Sequence, residues 1–96
     1  MRRLSWTVPA REDLRSLDAW LTKEARPQVA VRTLAEILER ARFLLNFPHG
    51  GRPFLDKQFR VLRVLDTPYI LIYRIKGDTI EILRVRHERE DWQMEL

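Results

Sequence analysis

Apolar runs separated by short polar turns dominate the second half of the chain. Between Phe59 and Trp92 they read FRVLRV, YILIYRI and TIEILRV, parted by Asp66-Thr67-Pro68 and by Gly77-Asp78. Isoleucine, valine, leucine and tyrosine fit a pleated, half-buried surface, so each run is predicted to be a strand. The connections are too short to hold crossover helices, which makes the pairing antiparallel. The middle run, Tyr69 to Ile75, is apolar at both parities until Arg74 and therefore belongs at the centre of the sheet.

The first half has a different period. Ala10, Leu14, Leu17, Leu21 and Ala25 recur at helical spacing, predicting a helix from about Ala10 to Ala25. Pro9 suits its first turn, and Glu12 and Asp13 are expected in that turn, where carboxylates favour the helix dipole. Arg26-Pro27 breaks the helix, because the residue before a proline avoids helical angles. A second stripe, Ala30, Leu34, Ile37, Leu38, Ala41, Leu44 and Leu45, predicts a helix from Pro27 to near Asn46. The short link makes the two an antiparallel hairpin. Its apolar face needs a cover, so Leu34, Ile37, Leu38 and Ala41 are expected beneath the sheet. Phe47 to Lys57 reads as a loop, with two prolines and two glycines. Leu4 to Val8 reads as a short strand whose place in the sheet the pattern does not fix. The tail, Glu88 to Leu96, is charged and reads as a last helical turn or a mobile end. The fold class is α+β, one domain over residues 1–96: strand, antiparallel helical hairpin, then a three-stranded antiparallel meander.

Composition narrows the classes. At 45% hydrophobic and 33% charged, the chain of 96 residues is a soluble globular domain. Cysteine is absent, which removes disulfides and thiolate metal sites and suits a reducing cytoplasm. No apolar run reaches the length of a membrane span, so the expected location is cytoplasmic. The net charge of +4 permits nucleic acid as a partner without demanding it. Lys23, Lys57 and Lys76 are the only lysines. The excess of arginine brings bidentate forks for carboxylate and phosphate, or reflects codon usage in a high-GC genome.

His87 lies among Arg84, Arg86, Arg89, Glu88, Glu90 and Asp91. One reading is a general acid or base flanked by phosphate-binding arginines. The other is a strand-end histidine with salt-bridged neighbours. His49 reads as a turn residue, and no metal motif or cofactor-binding loop is present. Trp6 is expected in the core and Trp20 at the edge of the first helix stripe. Trp92, in the polar tail, is expected either as an exposed interface anchor or folded back onto the helices.

The order Gly51-Arg52-Pro53, FRVLRV, PYILIYRI, GDTIEILRVRHEREDW resembles the RelE/ParE superfamily, toxins of bacterial type II toxin–antitoxin modules. SWTVPAREDL (Ser5 to Leu14) and NFPHGGRP (Asn46 to Pro53) fit the same pattern, and the ParE branch, often labelled plasmid stabilisation proteins, is the most similar. The resemblance implies the RelE/ParE fold, no cofactor, and no enzymatic activity. It implies DNA gyrase as the target, inhibited by protein–protein contact; the arginine-rich end of the last strand, Arg84, Arg86 and Arg89 with Trp92, is the expected contact patch. It also implies a ParD-like antitoxin in a hetero-oligomer, with operator DNA bound only through that antitoxin. The antitoxin is expected in a groove near Trp20, Leu21 and Leu45, its acidic half pairing with Arg60, Arg63 and Arg74. The rival is a RelE-type ribosome-dependent endoribonuclease, in which Arg60, Arg63, Arg84 and His87, helped by Arg74, bind phosphate and move protons. Two departures argue against it. Ile70 follows Tyr69 where such nucleases carry an arginine, and the tail offers Trp92 in place of a RelE-like tyrosine. An indole gives only an N–H donor, whereas a phenol both donates and accepts.

Overall fold

Thr7 turns the opening strand into a helix. In the computed structural model, which describes residues 1–56 and 58–95, the Thr7 hydroxyl accepts from the Ala10 N–H at 3.2 Å. This is an N-cap, and it starts α1 (Val8–Glu24) with Pro9 in the first turn. The helix therefore begins earlier than the apolar spacing suggests. Glu12 and Asp13 fall beyond its first turn, which holds no acid. Lys57 and Leu96, which close the expected loop and tail, lie outside the described residues.

Pro27 opens α2 (Pro27–Asn46), antiparallel to α1. Both lie on one face of a five-stranded sheet made of β1 (Arg3–Trp6), β2 (Arg52–Phe54), β3 (Phe59–Arg63), β4 (Tyr69–Lys76) and β5 (Thr79–His87). The spatial order is β1-β5-β4-β3-β2, so β4 is central as its two-sided apolar pattern requires. The meander β3-β4-β5 is antiparallel throughout. The opening strand, unplaced by its sequence, pairs in parallel with β5, Arg3 opposite Thr79 and Trp6 opposite Ile82. The expected loop contains β2, which pairs with β3 and carries Pro53 on the sheet's outer edge, where a missing N–H is tolerated.

Register sorts the side chains between two faces. Toward the helices point Leu62, Leu71, Tyr73, Ile80 and Ile82, packed against Ala10, Ile37, Ala41 and Leu44. Between the Ile72–Arg84 and Tyr73–Ile82 pairs the register shifts, leaving Leu83 as an extra residue. This bulge lets both Ile82 and Val85 face the helices despite their odd spacing. Ile37 and Ala41 are buried as expected, but Leu38 is 38% exposed and Leu34 only half-buried. Adjacent residues point about 100° apart around a helix, and the sheet covers only the side that Ile37 occupies.

The other sheet face carries a second cluster, Val61, Ile70, Ile72 and Trp92, bordered by Phe54 and Phe59. Trp92 opens a short 3-10 helix (Trp92–Glu95). Its exposure is 4%, so it is neither an exposed anchor nor a cover for the helices. It lies 5.0 Å from the Phe54 ring and shields sheet residues that water would otherwise reach. No helix among the described residues is long and apolar enough to cross a membrane.

Candidate functional site

A furrow runs between α1 and the end of the sheet where β4 begins and β5 finishes. Its wider part, about 480 Å³, is walled by Leu17, Trp20 and Leu21 of α1 and Val29 of α2. The turn Asp66-Thr67-Pro68, with Tyr69 and His87, forms its other wall. Trp20 is 58% exposed at its rim, while Leu21 is buried in its floor. Leu45 does not join them. It sits at the far end of α2, where its carbonyl accepts from Arg2. A smaller depression of about 210 Å³ continues the furrow past Tyr69 and His87 toward Asp13, Ser16, Arg86 and Glu90. One end is therefore apolar and the other charged.

The charged end is built by the way β5 is finished. β1 covers β5 only as far as Ile82, so the backbone beyond it needs other partners. Thr7 supplies two: its N–H donates to the Ile82 carbonyl and its hydroxyl to that of Leu83. Asp13 supplies the next, accepting the Val85 N–H at 3.0 Å. The same carboxylate takes the Arg84 guanidinium at 2.8 and 2.9 Å, a two-pronged pair. One turn later Glu90 accepts from Arg86 at 2.6 Å and from the His87 N–H at 2.7 Å. From sequence, Asp13 reads only as a helix-dipole carboxylate and Glu90 only as a neighbour of His87; neither has a spacing that marks it as a partner of β5.

The arginines and His87 proposed for nuclease chemistry do not converge. Arg60 pairs across the sheet with Tyr73 and His87 with Tyr69, on the helix side. Those tyrosines are four residues apart along β4, about 13 Å at the rise of a strand. Arg63 lies in the row of Ile70, on the opposite face, and Arg84 stands beside the bulge with its guanidinium committed to Asp13 of α1. The guanidinium of Arg60 is turned into the preceding loop, donating to the Gly51 carbonyl at 2.7 Å. Arg63 reaches Glu88 at 3.5 Å, and Arg74 bonds to Glu81 across the β4–β5 pair. The Arg89 N–H donates to His87 Nδ1 at 3.1 Å. In neutral His87 the ring proton then sits on Nε2, and the one basic nitrogen is already occupied.

Of the residues expected to contact a target, only Arg89 is exposed. Arg84 and Arg86 are drawn in against Asp13 and Glu90, and Trp92 is buried. Two tyrosines behave oppositely. Tyr73 donates to the Pro48 carbonyl at 2.8 Å and accepts from the Gly51 N–H at 2.9 Å, pinning the loop before β2. Burial raises its pKa, partly offset by that N–H and by Arg60. Tyr69 stands edge-on to the His87 ring, centroids 5.5 Å apart. Burial, and then the Glu90 charge, raise its pKa.

The family model of the ParE toxin of type II toxin–antitoxin systems, parDE, matches residues 4–92. Protein Y4kP of Sinorhizobium fredii is 37% identical over 91 residues, covering 95% of this chain and 93% of that one. Toxin RelE3 of Caulobacter vibrioides is 37% identical over 83 residues, covering 84% and 88%. Among solved structures, the chromosomal ParDE system of P. aeruginosa is similar with a TM-score of 0.81 at 28% identity, covering 91% of this chain and 96% of that one. A chain of the toxin–antitoxin complex RelBE2 of Mycobacterium tuberculosis gives 0.68 at 30% identity, covering 90% and 96%. With the two-helix, five-strand α+β architecture and nearly every residue aligned, the chain belongs to the ParE toxin family of type II toxin–antitoxin systems.

Proposed function

We propose that this toxin acts on DNA gyrase by protein–protein contact and not as a nuclease. The observation that carries the reading is the dispersal of the candidate side chains: Arg60 and His87 lie at separate rows of the helix-side face, Arg63 on the other face, and Arg84 is held by Asp13. Cleavage of RNA needs a base, an acid and cationic stabilisation converging within hydrogen-bond reach of one phosphate. Here the Nδ1 of His87 is occupied by a backbone N–H, and the tail lacks a tyrosine. The end of β5 is the proposed target surface, Arg89 pointing outward and Arg84 and Arg86 stiffening it from within. Purified gyrase with plasmid tests this: supercoiling should fall or cleaved DNA should be trapped as toxin is added. Unchanged supercoiling with no trapped cleavage at high toxin concentration rejects it. Codon-phased cuts in translated messages, lost in His87→Ala, establish the nuclease instead.

The inhibitor is a ParD-like antitoxin, as the solved relatives include toxin–antitoxin complexes. Its apolar anchors fill the furrow beside Trp20 and Leu21, and its acidic part meets the arginines of a chain with net charge +4. Arg63 and Arg74 share the sheet face away from the helices, whereas Arg60 does not. Calorimetry should therefore show weaker antitoxin binding for Arg63→Glu and Arg74→Glu than for Glu36→Ala. Equal affinity in all three rejects the electrostatic part.

A further inference from the structure

The contrast between the two buried tyrosines points to a reader of the furrow. Tyr73 is fully buried and satisfies its hydroxyl twice within the protein. Tyr69 lies at 9% exposure with no hydrogen bond of its hydroxyl among the described residues, and that oxygen is not sealed inside the protein. A hydroxyl that opens into the furrow and is not used within the protein is free to donate to a group seated there. Tyr69 lines both parts of the furrow, where the apolar end meets the charged end. An amphipathic chain segment matches that gradient: an apolar side chain beside Trp20 and Leu21, then a polar group at Tyr69.

The charge at this point limits the polar group. The Glu90 carboxylate acts on the phenol, and Asp13 lines the same depression. Each acid already holds an arginine and a backbone N–H. A further carboxylate would be repelled there, while a neutral acceptor would not. The phenol stays protonated at neutral pH and so is a donor.

We propose that the Tyr69 hydroxyl fixes the register of the antitoxin in the furrow by donating to an uncharged carbonyl, from its backbone or from an Asn or Gln side chain. This rests on the antitoxin reading above and adds the residue and the acceptor. The probe is a full-length cognate ParD-like antitoxin, measured by calorimetry at pH 7. Tyr69→Phe should weaken binding by about threefold to tenfold, the loss of one neutral hydrogen bond. Its melting temperature should be unchanged or higher, because no internal bond is lost. Tyr73→Phe is the control: it should melt earlier and bind the antitoxin as tightly as the parent. The Tyr69→Phe ratio should be the same at about 50 mM and about 300 mM salt, since a neutral bond is not screened. Unchanged affinity in Tyr69→Phe overturns the proposal while leaving the antitoxin reading standing. A ratio that collapses with salt overturns the uncharged acceptor. A toxin dimer that depends on Tyr69 assigns the furrow to a second copy and overturns it too. A parent protein that ignores the antitoxin rejects both readings.

Discussion

At the scale of residues, neighbours in sequence differ sharply in what they contribute. Ile37 is fully buried against the sheet, and Leu38 beside it is 38% exposed. Ile37→Ala removes apolar volume from a closed core and should cost about 2–5 kcal/mol. Leu38→Ala removes a side chain already in partial contact with water and should cost about 1 kcal/mol or less. Urea denaturation of the two variants checks this; equal losses would mean that the hairpin lies differently on the sheet. Gly51 shows the same local exactness. A Cβ there would come within 2.7 Å of the Tyr73 ring and 2.8 Å of the Val61 carbonyl oxygen. The loop before β2 therefore runs where only a glycine lets it pass between a buried ring and the sheet.

At the scale of elements, the strand pairs differ in how much support they need from outside. β4 is paired on both sides from Ile70 to Tyr73, but β5 loses β1 after Ile82. Asp13, from the middle of α1, serves that unprotected stretch and the Arg84 charge together. The side-chain exposures of the pair, 28% for Arg84 and 15% for Asp13, place it part-way out of water. Asp13→Ala should cost about 2–3 kcal/mol, since it strands both a guanidinium and a backbone N–H. Asp13→Asn keeps an acceptor for Val85 and should lose about half as much. Hydrogen exchange at the Val85 amide should rise in the alanine variant. A loss below about 1 kcal/mol would show that water replaces the carboxylate without penalty.

At the scale of the whole molecule, what was legible in the sequence is what local periodicity encodes. The helical hairpin and the meander follow from apolar spacing and from turn residues at Pro27, Asp66 and Gly77, the last two with positive φ. The partner of β1 was not legible, because a parallel pair joins segments with no sequence signal in common. β2 was hidden by Pro53, which argues for a loop unless the strand is known to be an outer one. Trp92 was misplaced because its polar neighbours set the expectation, whereas the apolar face it covers lies elsewhere in the chain. The furrow was half legible: Trp20 and Leu21 mark it, but Leu45 belongs to the stripe of the second helix and sits at that helix's far end. The scattering of the arginines was legible for Arg60 and Arg63, three apart on one strand, but not for Arg84, which stands beside a bulge.

The parallel seam between β1 and β5 also bears on the order of events during translation. Arg3–Trp6 has no sheet partner until Thr79–Ile82 exists. The hairpin and the meander are closed by contacts near in sequence and can assemble while the rest is still being made. The last seam joins a segment made before both helices with one made after the other strands of the sheet. A cell making this toxin therefore holds an incomplete sheet until β5 has been made, an interval in which a waiting antitoxin can meet the chain before the sheet is closed.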